Sequence, residues 1–361
     1  MYIMKKIFFP LFMLGAILLG SFPVTVCADA SIDNMVGGQF SKNIDNLLNE
    51  KGYSGTLLII KNGKAFYQTS RGYSDFSSGV SNDKDTTYEI DSLQKAMTAG
   101  MIMKQVQDGH LKLSDKLAKF YPRIAGSEKI TIRQMLDMTS GLILKTSVGP
   151  EEVMTDSDII EDDINNIKFS NLLYNKWYYS PVNFNLLSGI LEKITGKSYQ
   201  ELFTETYIKK LNLKHTIFAY NEDSGIHKAT GYNNNDPLSA KLDYKNAFYT
   251  KRAFMFDELG TGQIYMSASD LYKVENYILT GSLLTDKSRK KLFKPGSSST
   301  YGGGFYHGKD DNYANGWGYG FQTVVHLSNN GKDAVILLEN YSRLAADAKP
   351  MAKKIYQMIN N

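Results

Sequence analysis

Ser92 and Lys95 stand three residues apart in the stretch Tyr88-Glu89-Ile90-Asp91-Ser92-Leu93-Gln94-Lys95-Ala96. On a helix that spacing places both side chains on one face, one turn apart. A Lys at the start of a buried helix is partly stripped of water, which favours a neutral amine able to take the Ser proton. The positive end of the same helix favours an oxyanion forming nearby. Acyl transfer through a Ser nucleophile is the chemistry this pair could do. By itself the Ser-x-x-Lys spacing is a weak signal that arises by chance in most chains of 361 residues. Its plain alternative is an N-cap Ser followed by a solvated Lys.

Other chemistry-bearing residues point nowhere in particular. His110, His215, His227, His307 and His326 have no metal-ligand spacing, so no metal is expected. The one cysteine, Cys27, lies in an N-terminal apolar stretch, which excludes a disulfide scaffold and a thiolate cluster. Gly302-Gly303-Gly304 precedes a strand rather than a helix, unlike a phosphate loop. A formal charge of +4 is too small to argue for nucleic acid. With 42% hydrophobic and 22% charged residues and 8 Pro, the chain is an ordinary globular one, large enough for one big domain or two small ones.

The elements that must position Ser92 and Lys95 can be read from periodicity. Phe40, Ile44, Leu47 and Leu48 mark an amphipathic helix, and residues 55–68 give two strands joined by an Asn62-Gly63 turn. From Ser92 to about Gln107 runs a helix apolar on nearly every side (Ala96, Met97, Ala99, Met101, Ile102, Met103), which belongs in the centre of a domain. Residues 110–258 read as helical patches between Asn- and Tyr-rich loops. Strands return at 301–306, 320–327 and 333–339, and Met351, Ile355, Met358 and Ile359 line a last helix with Pro350 near its start. The expected architecture is an α/β (α+β) one: an antiparallel sheet flanked by helices. The sheet subdomain comes from residues 37–90 and 260–361, and a mostly helical insertion from about 91–259. A junction of this kind is where active sites collect.

The stretches Gln105–Pro122, Ile130–Leu142, Trp177–Gly196 and Gly260–Leu271 resemble, in order, the penicillin-recognising serine hydrolases of the class C β-lactamase-like branch, which includes DD-peptidases and esterases. The resemblance runs from about residue 37 to the C-terminus. It implies a β-lactamase-like fold with Ser92 as nucleophile, Lys95 as its base and Tyr179 as the group that relays a proton to the leaving group. It implies no cofactor and no metal. The chain departs from the pattern at two places. The second motif, Tyr-x-Asn, reads Tyr179-Ser180-Pro181, so the Asn that would bind a substrate amide is missing, and Asn183 is the candidate substitute. The third motif, Lys/His-x-Gly, reads Ala314-Asn315-Gly316, with Trp317 next. In this register the N–H groups of Ser92 and Trp317 form the oxyanion hole. A site without the third-motif cation should hold a free substrate carboxylate poorly.

The pattern therefore resembles the teichoic acid D-alanyl esterases of this family. Their substrate carries an ammonium, and Asp257 or Glu258 is the candidate complement. The partner implied is a cell-wall polymer, teichoic acid or peptidoglycan stem, of a Gram-positive bacterium. A DD-carboxypeptidase or broad esterase is the alternative, and a catalytically silent wall-binding relative the second. Residues 1–30, with Lys5, Lys6 and an apolar run from Ile7, read as a signal peptide cleaved after Ala28 or Ala30. An uncleaved membrane anchor is the other reading. Either way the enzyme domain, residues 31–361, is expected outside the cell, at its surface, as a monomer.

Overall fold

Gly55–Lys61 (β1) and Lys64–Arg71 (β2) pair across Asn62 and Gly63, whose φ values of 53° and 75° are those of a tight hairpin turn. The computed structural model describes residues 38–360 apart from 146–148, 224, 237 and 298. The targeting segment read at residues 1–30 lies outside the described residues.

Five strands from the other end of the chain complete the sheet: Tyr301–Gly302 (β3), Phe305–His307 (β4), Asp311–Gly318 (β5), Phe321–Ser328 (β6) and Ala334–Glu339 (β7). The order is β3-β4-β5-β6-β7-β1-β2, with every pair antiparallel. The central pair joins the two ends of the chain, Leu57 opposite Leu337 and Leu58 opposite Ile336.

Period-two alternation gives this sheet two apolar faces. Leu57, Ile59, Val335 and Leu337 pack with Ile44, Leu47 and Leu48 of Gly38–Glu50 (α1) and Met351, Ile355 and Ile359 of the C-terminal helix. Leu58, Ile60, Ile336 and Leu338 belong to the larger core on the opposite face. That core contains Gln94–Gln107 (α2), buried at every position from Gln94 to Met103, as its lack of a polar face requires. α2 packs on Val182–Thr195 (α3) and on Ala268–Leu279 (α4), and so lies between sheet and helical region. At about 1.5–3 kcal/mol per fully buried large apolar side chain, this packing is what holds the nucleophile segment in place.

The helical region is less purely helical than its composition suggests. Thr216–Phe218 pairs with Ile264–Met266, which pairs in turn with Tyr88–Glu89. Tyr232–Asn233 joins Asn246–Ala247 and Tyr341–Ser342. The stretch from about 216 to 247 thus returns to the sheet side. Strands of two or three residues are too short to show alternation, and only long-range pairing reveals them.

Candidate active site

The chain enters the site through Tyr88–Glu89, and Ile90 N–H donates to the Ile264 carbonyl at 2.9 Å. Asp91 then takes φ +45°, a conformation costly for a residue with a side chain, and the turn Asp91–Leu93 leads into α2. This kink presents Ser92, partly exposed, at the start of a helix that is otherwise buried. Lys95 Nζ is 2.9 Å from Ser92 Oγ and 3.4 Å from the Thr261 carbonyl, in a residue only 2% exposed.

Tyr179 reaches the same atom from the helical region: its hydroxyl donates to Ser92 Oγ at 2.7 Å. The Lys95 nitrogen lies 5.4 Å from the Tyr179 ring centroid. Backbone contacts pin the Tyr179 loop, because Tyr178 N–H donates to the Met138 carbonyl at 2.9 Å. Asn183 completes that anchor instead of facing the cleft. It is 1% exposed, its Nδ2 donates to the Ser180 carbonyl at 2.9 Å and its Oδ1 accepts from Ser140 Oγ at 2.6 Å. The structure thus brings Ser92, Lys95 and Tyr179 together and leaves Asn183 as a support behind them, not a group with a free amide to offer substrate.

The third-motif strand lies directly against the nucleophile. A Cβ on Gly316 would sit 2.1 Å from the Ile90 carbonyl oxygen and 2.9 Å from Asp91 Cβ, so only Gly permits the approach. Ala314, two residues earlier on the same face, is 2% exposed within the main apolar core. β5 and β6 are joined by the two-residue turn Tyr319-Gly320, with φ 46° and 88°. In such a hairpin the flanking pair, Gly318 and Phe321, exchange hydrogen bonds. The N–H groups of Asn315 and Trp317 therefore point away from β6. β4 pairs with β5 only at Asn312 and Tyr313, so that edge is open where Trp317 stands. The Trp317 indole is on the other face, 66% exposed, its Nε1 donating to Ser342 Oγ at 2.6 Å.

Glu258 is half-buried, accepting from Thr261 Oγ1 at 2.9 Å and from the Tyr319 hydroxyl at 3.4 Å. It stands among other acids. Burial, with Glu258 nearby, pushes the Glu89 carboxyl up to about 8, though the Tyr265 hydroxyl and Lys228 oppose this. Burial, then Glu89 and Glu258, raises Asp91 well above the usual range against the pull of Lys95. Asp257 is pushed up to about 6 by burial and by Glu258 and Asp162. Thr261 and Asp91 escaped the sequence reading, because neither residue type signals a role until the fold sets it beside Lys95 or Ser92. Among the described residues no three His, Cys, Asp or Glu side chains are arranged to hold a metal ion.

A Ser hydroxyl contacted by a buried Lys and a Tyr, at the start of a helix beneath an antiparallel sheet, is the arrangement of a serine hydrolase. The Beta-lactamase family model matches residues 40–357, and the chain belongs to this family of β-lactamase-like serine hydrolases. PbpX of Bacillus subtilis (strain 168), whose name places it with penicillin-binding proteins, is 30% identical over 89% of this chain and 78% of its own length. Protein flp of Staphylococcus aureus (strain MRSA252) is 32% identical over 57% of this chain, and the match spans 43% of flp. Among solved structures, FmtA from Staphylococcus aureus superposes with TM-score 0.76 at 24% identity, covering 89% of this chain and 87% of that one. D-amino acid amidase from Ochrobactrum anthropi SV3, complexed with D-phenylalanine, superposes with TM-score 0.74 at 18% identity, covering 89% and 99%. At these identities the two structures show the fold.

Proposed function

We propose that this chain is an extracellular serine hydrolase that removes D-alanyl esters from teichoic acid. The observation that carries this reading is the charge of the cleft beside Ser92. Position 314, on the same face of β5 as Gly316, holds a buried Ala rather than a cation, while Asp162, Asp163, Asp257 and Glu258 line the cavity beside Tyr179 with a single described cation, Lys145. Such a cleft repels the free carboxylate of a D-Ala-D-Ala end and attracts the ammonium of an alanyl ester.

The steps follow from the contacts. Lys95 takes the proton of Ser92, and Ser92 Oγ attacks the ester carbonyl. The N–H groups of Ser92 and Trp317 receive the oxyanion. The carbonyl re-forms as the polyol alkoxide leaves, protonated through Tyr179, and the alanyl group remains on Ser92. Water, deprotonated by the same groups, attacks the acyl-enzyme and releases alanine, returning the proton to Ser92. The intact Ser92–Lys95–Tyr179 contacts argue against a silent relative, which has no chemical use for them.

The test is release of free D-alanine from D-alanylated lipoteichoic acid and, in parallel, from a D-Ala-D-Ala muropeptide, with Ser92→Ala as control. Release from the teichoic acid alone, lost in the variant, is expected. Release mainly from the muropeptide would overturn the argument from Ala314, and release from neither would overturn the enzyme assignment.

A further inference from the structure

The cleft continues past the catalytic groups. A cavity of about 560 Å³ runs from Tyr179 and Thr261 to the helix Asp156–Asn166 and the turn that ends in Glu258. Two acceptors buried in its lining have no donor. Asp163 is 7% exposed, and its Oδ2 meets no hydrogen-bond partner. Asn185, also 7% exposed, uses its Nδ2 on the Asp257 carbonyl at 3.4 Å and leaves Oδ1 unpartnered. Leaving a buried acceptor without a donor costs about 1–3 kcal/mol; while Asp163 keeps its proton it can serve Asn185, and once that proton is displaced both oxygens accept, which suits a cationic ligand that brings donors only.

We infer that this end of the cleft is a subsite for a primary ammonium group on the acyl part of the substrate, received by Asp163 Oδ2, Asn185 Oδ1 and the Asp257 carboxylate. The inference rests on the acyl-transfer reading above and deepens it by assigning where the acyl group's charge goes. An ammonium carries three donors and no acceptor, matching three acceptors. Burial, then Asp257, Asp162 and Glu258, pushes the Asp163 carboxyl up to about 8, with the Asn185 amide opposing; a bound cation relieves that crowding. The other charged group facing the subsite, Lys145, is held away by donating to the Asn165 carbonyl at 3.0 Å. Two sources offer the same chemistry: the α-ammonium of a D-alanyl group, or a side-chain ammonium of a longer D-amino acyl group, which the cavity has room to take.

The experiment measures binding without turnover. The Ser92→Ala chain is titrated calorimetrically with D-alaninamide, D-lysinamide and the uncharged propionamide. Both ammonium-bearing amides are expected to bind about 10- to 100-fold more tightly than propionamide, as a charge-assisted hydrogen bond predicts. That preference is expected to fall at least about tenfold in Asp163→Asn and in Asp257→Asn, two variants that fail to fold for different reasons if they fail at all. D-lysinamide binding the tighter assigns the subsite to a side-chain ammonium, and D-alaninamide binding at least as tightly assigns it to the α-ammonium. Equal binding of all three amides, no binding of any, or an unchanged preference in both variants overturns the subsite. D-Alanine release from teichoic acid by the wild-type chain reads the function separately. Release without an ammonium preference defeats only the subsite, and a preference without release defeats only the esterase reading.

Discussion

The two ends of the cleft are built on opposite principles. At the catalytic end the groups around Ser92 Oγ contact one another, although Asp91 Oδ2 beside them is buried without a partner: Ser92 Oγ is contacted by Lys95 and Tyr179, Lys95 also reaches the Thr261 carbonyl, and Glu258 is held by Thr261 and Tyr319. At the far end, Asp163 Oδ2 and Asn185 Oδ1 are buried and unmatched beside Asp257 and Asp162. The first arrangement is pre-organised for a reaction, since its contacts exist before substrate arrives. The second stores a cost in the empty protein that a suitable ligand removes on binding. In the proposed reading, chemistry falls to groups already paired and selectivity to groups left unpaired.

Breaking the paired end should have the largest effect. Ser92→Ala is expected to reduce D-alanine release by about 10⁴-fold or more and to abolish the acyl-enzyme adduct in a mass spectrum. Tyr179→Phe keeps the ring packed beside Lys95 but removes the hydroxyl, and should cost about 10²- to 10⁴-fold in kcat with little change in melting temperature. Gly316→Ala places a methyl against the Ile90 carbonyl and shifts the nucleophile segment; a loss of about 10²-fold in rate with the sheet intact by circular dichroism is expected. If Gly316→Ala were fully active, the close approach of β5 to Ser92 would be refuted.

The unpaired end should show itself in stability. The fold holds Asp163 protonated up to about pH 8, whereas the unfolded chain loses that proton near 3.8. Between those values the folded state binds more protons, so this group's contribution to stability is complete at low pH and is lost as pH rises from about 4 to about 8. Asp163→Asn should therefore raise the melting temperature at pH 8 more than at pH 5, and a shift equal at both would contradict the buried carboxyl. The smallest effect is expected at Trp317. Its exposed indole lies on the face of β5 away from Ser92, so Trp317→Ala should change stability and rate by about 0.5 kcal/mol or less, because the backbone N–H persists. A large loss of kcat would move the role from the backbone to the side chain.

Much of the catalytic end was legible in residues 88–99 and 177–196. A helix with no polar face must be buried, so whatever begins it is held rigidly, and the Ser-x-x-Lys spacing is local enough to survive any packing. The Asn62-Gly63 turn and the alternation of β1, β6 and β7 were equally local. Less legible was what depends on distant partners. Asn183 has the residue type of a ligand-binding amide, yet Ser140 and Ser180 use both its atoms. Asp163 and Asn185 sit on different helices, and nothing in their flanking residues signals that they share a cavity with Asp257. The strands at 216–218, 232–233 and 246–247 are too short for a pattern and form only because Ile264–Met266 and Tyr341–Ser342 pair with strands among them.

The sequence by itself determined which side chains could react and on which helix they sit, because helical spacing and apolar periodicity act over a few residues. It also set the absence of a cation at position 314. Only the tertiary structure decided that Ala314 is buried in the core on the Gly316 face of β5, that the Trp317 N–H stands at an open strand edge, and that four acids line one cleft. Those properties come from burial and from charges brought together across almost a hundred residues, and electrostatic fields in a low-dielectric cleft depend on distance through space rather than along the chain.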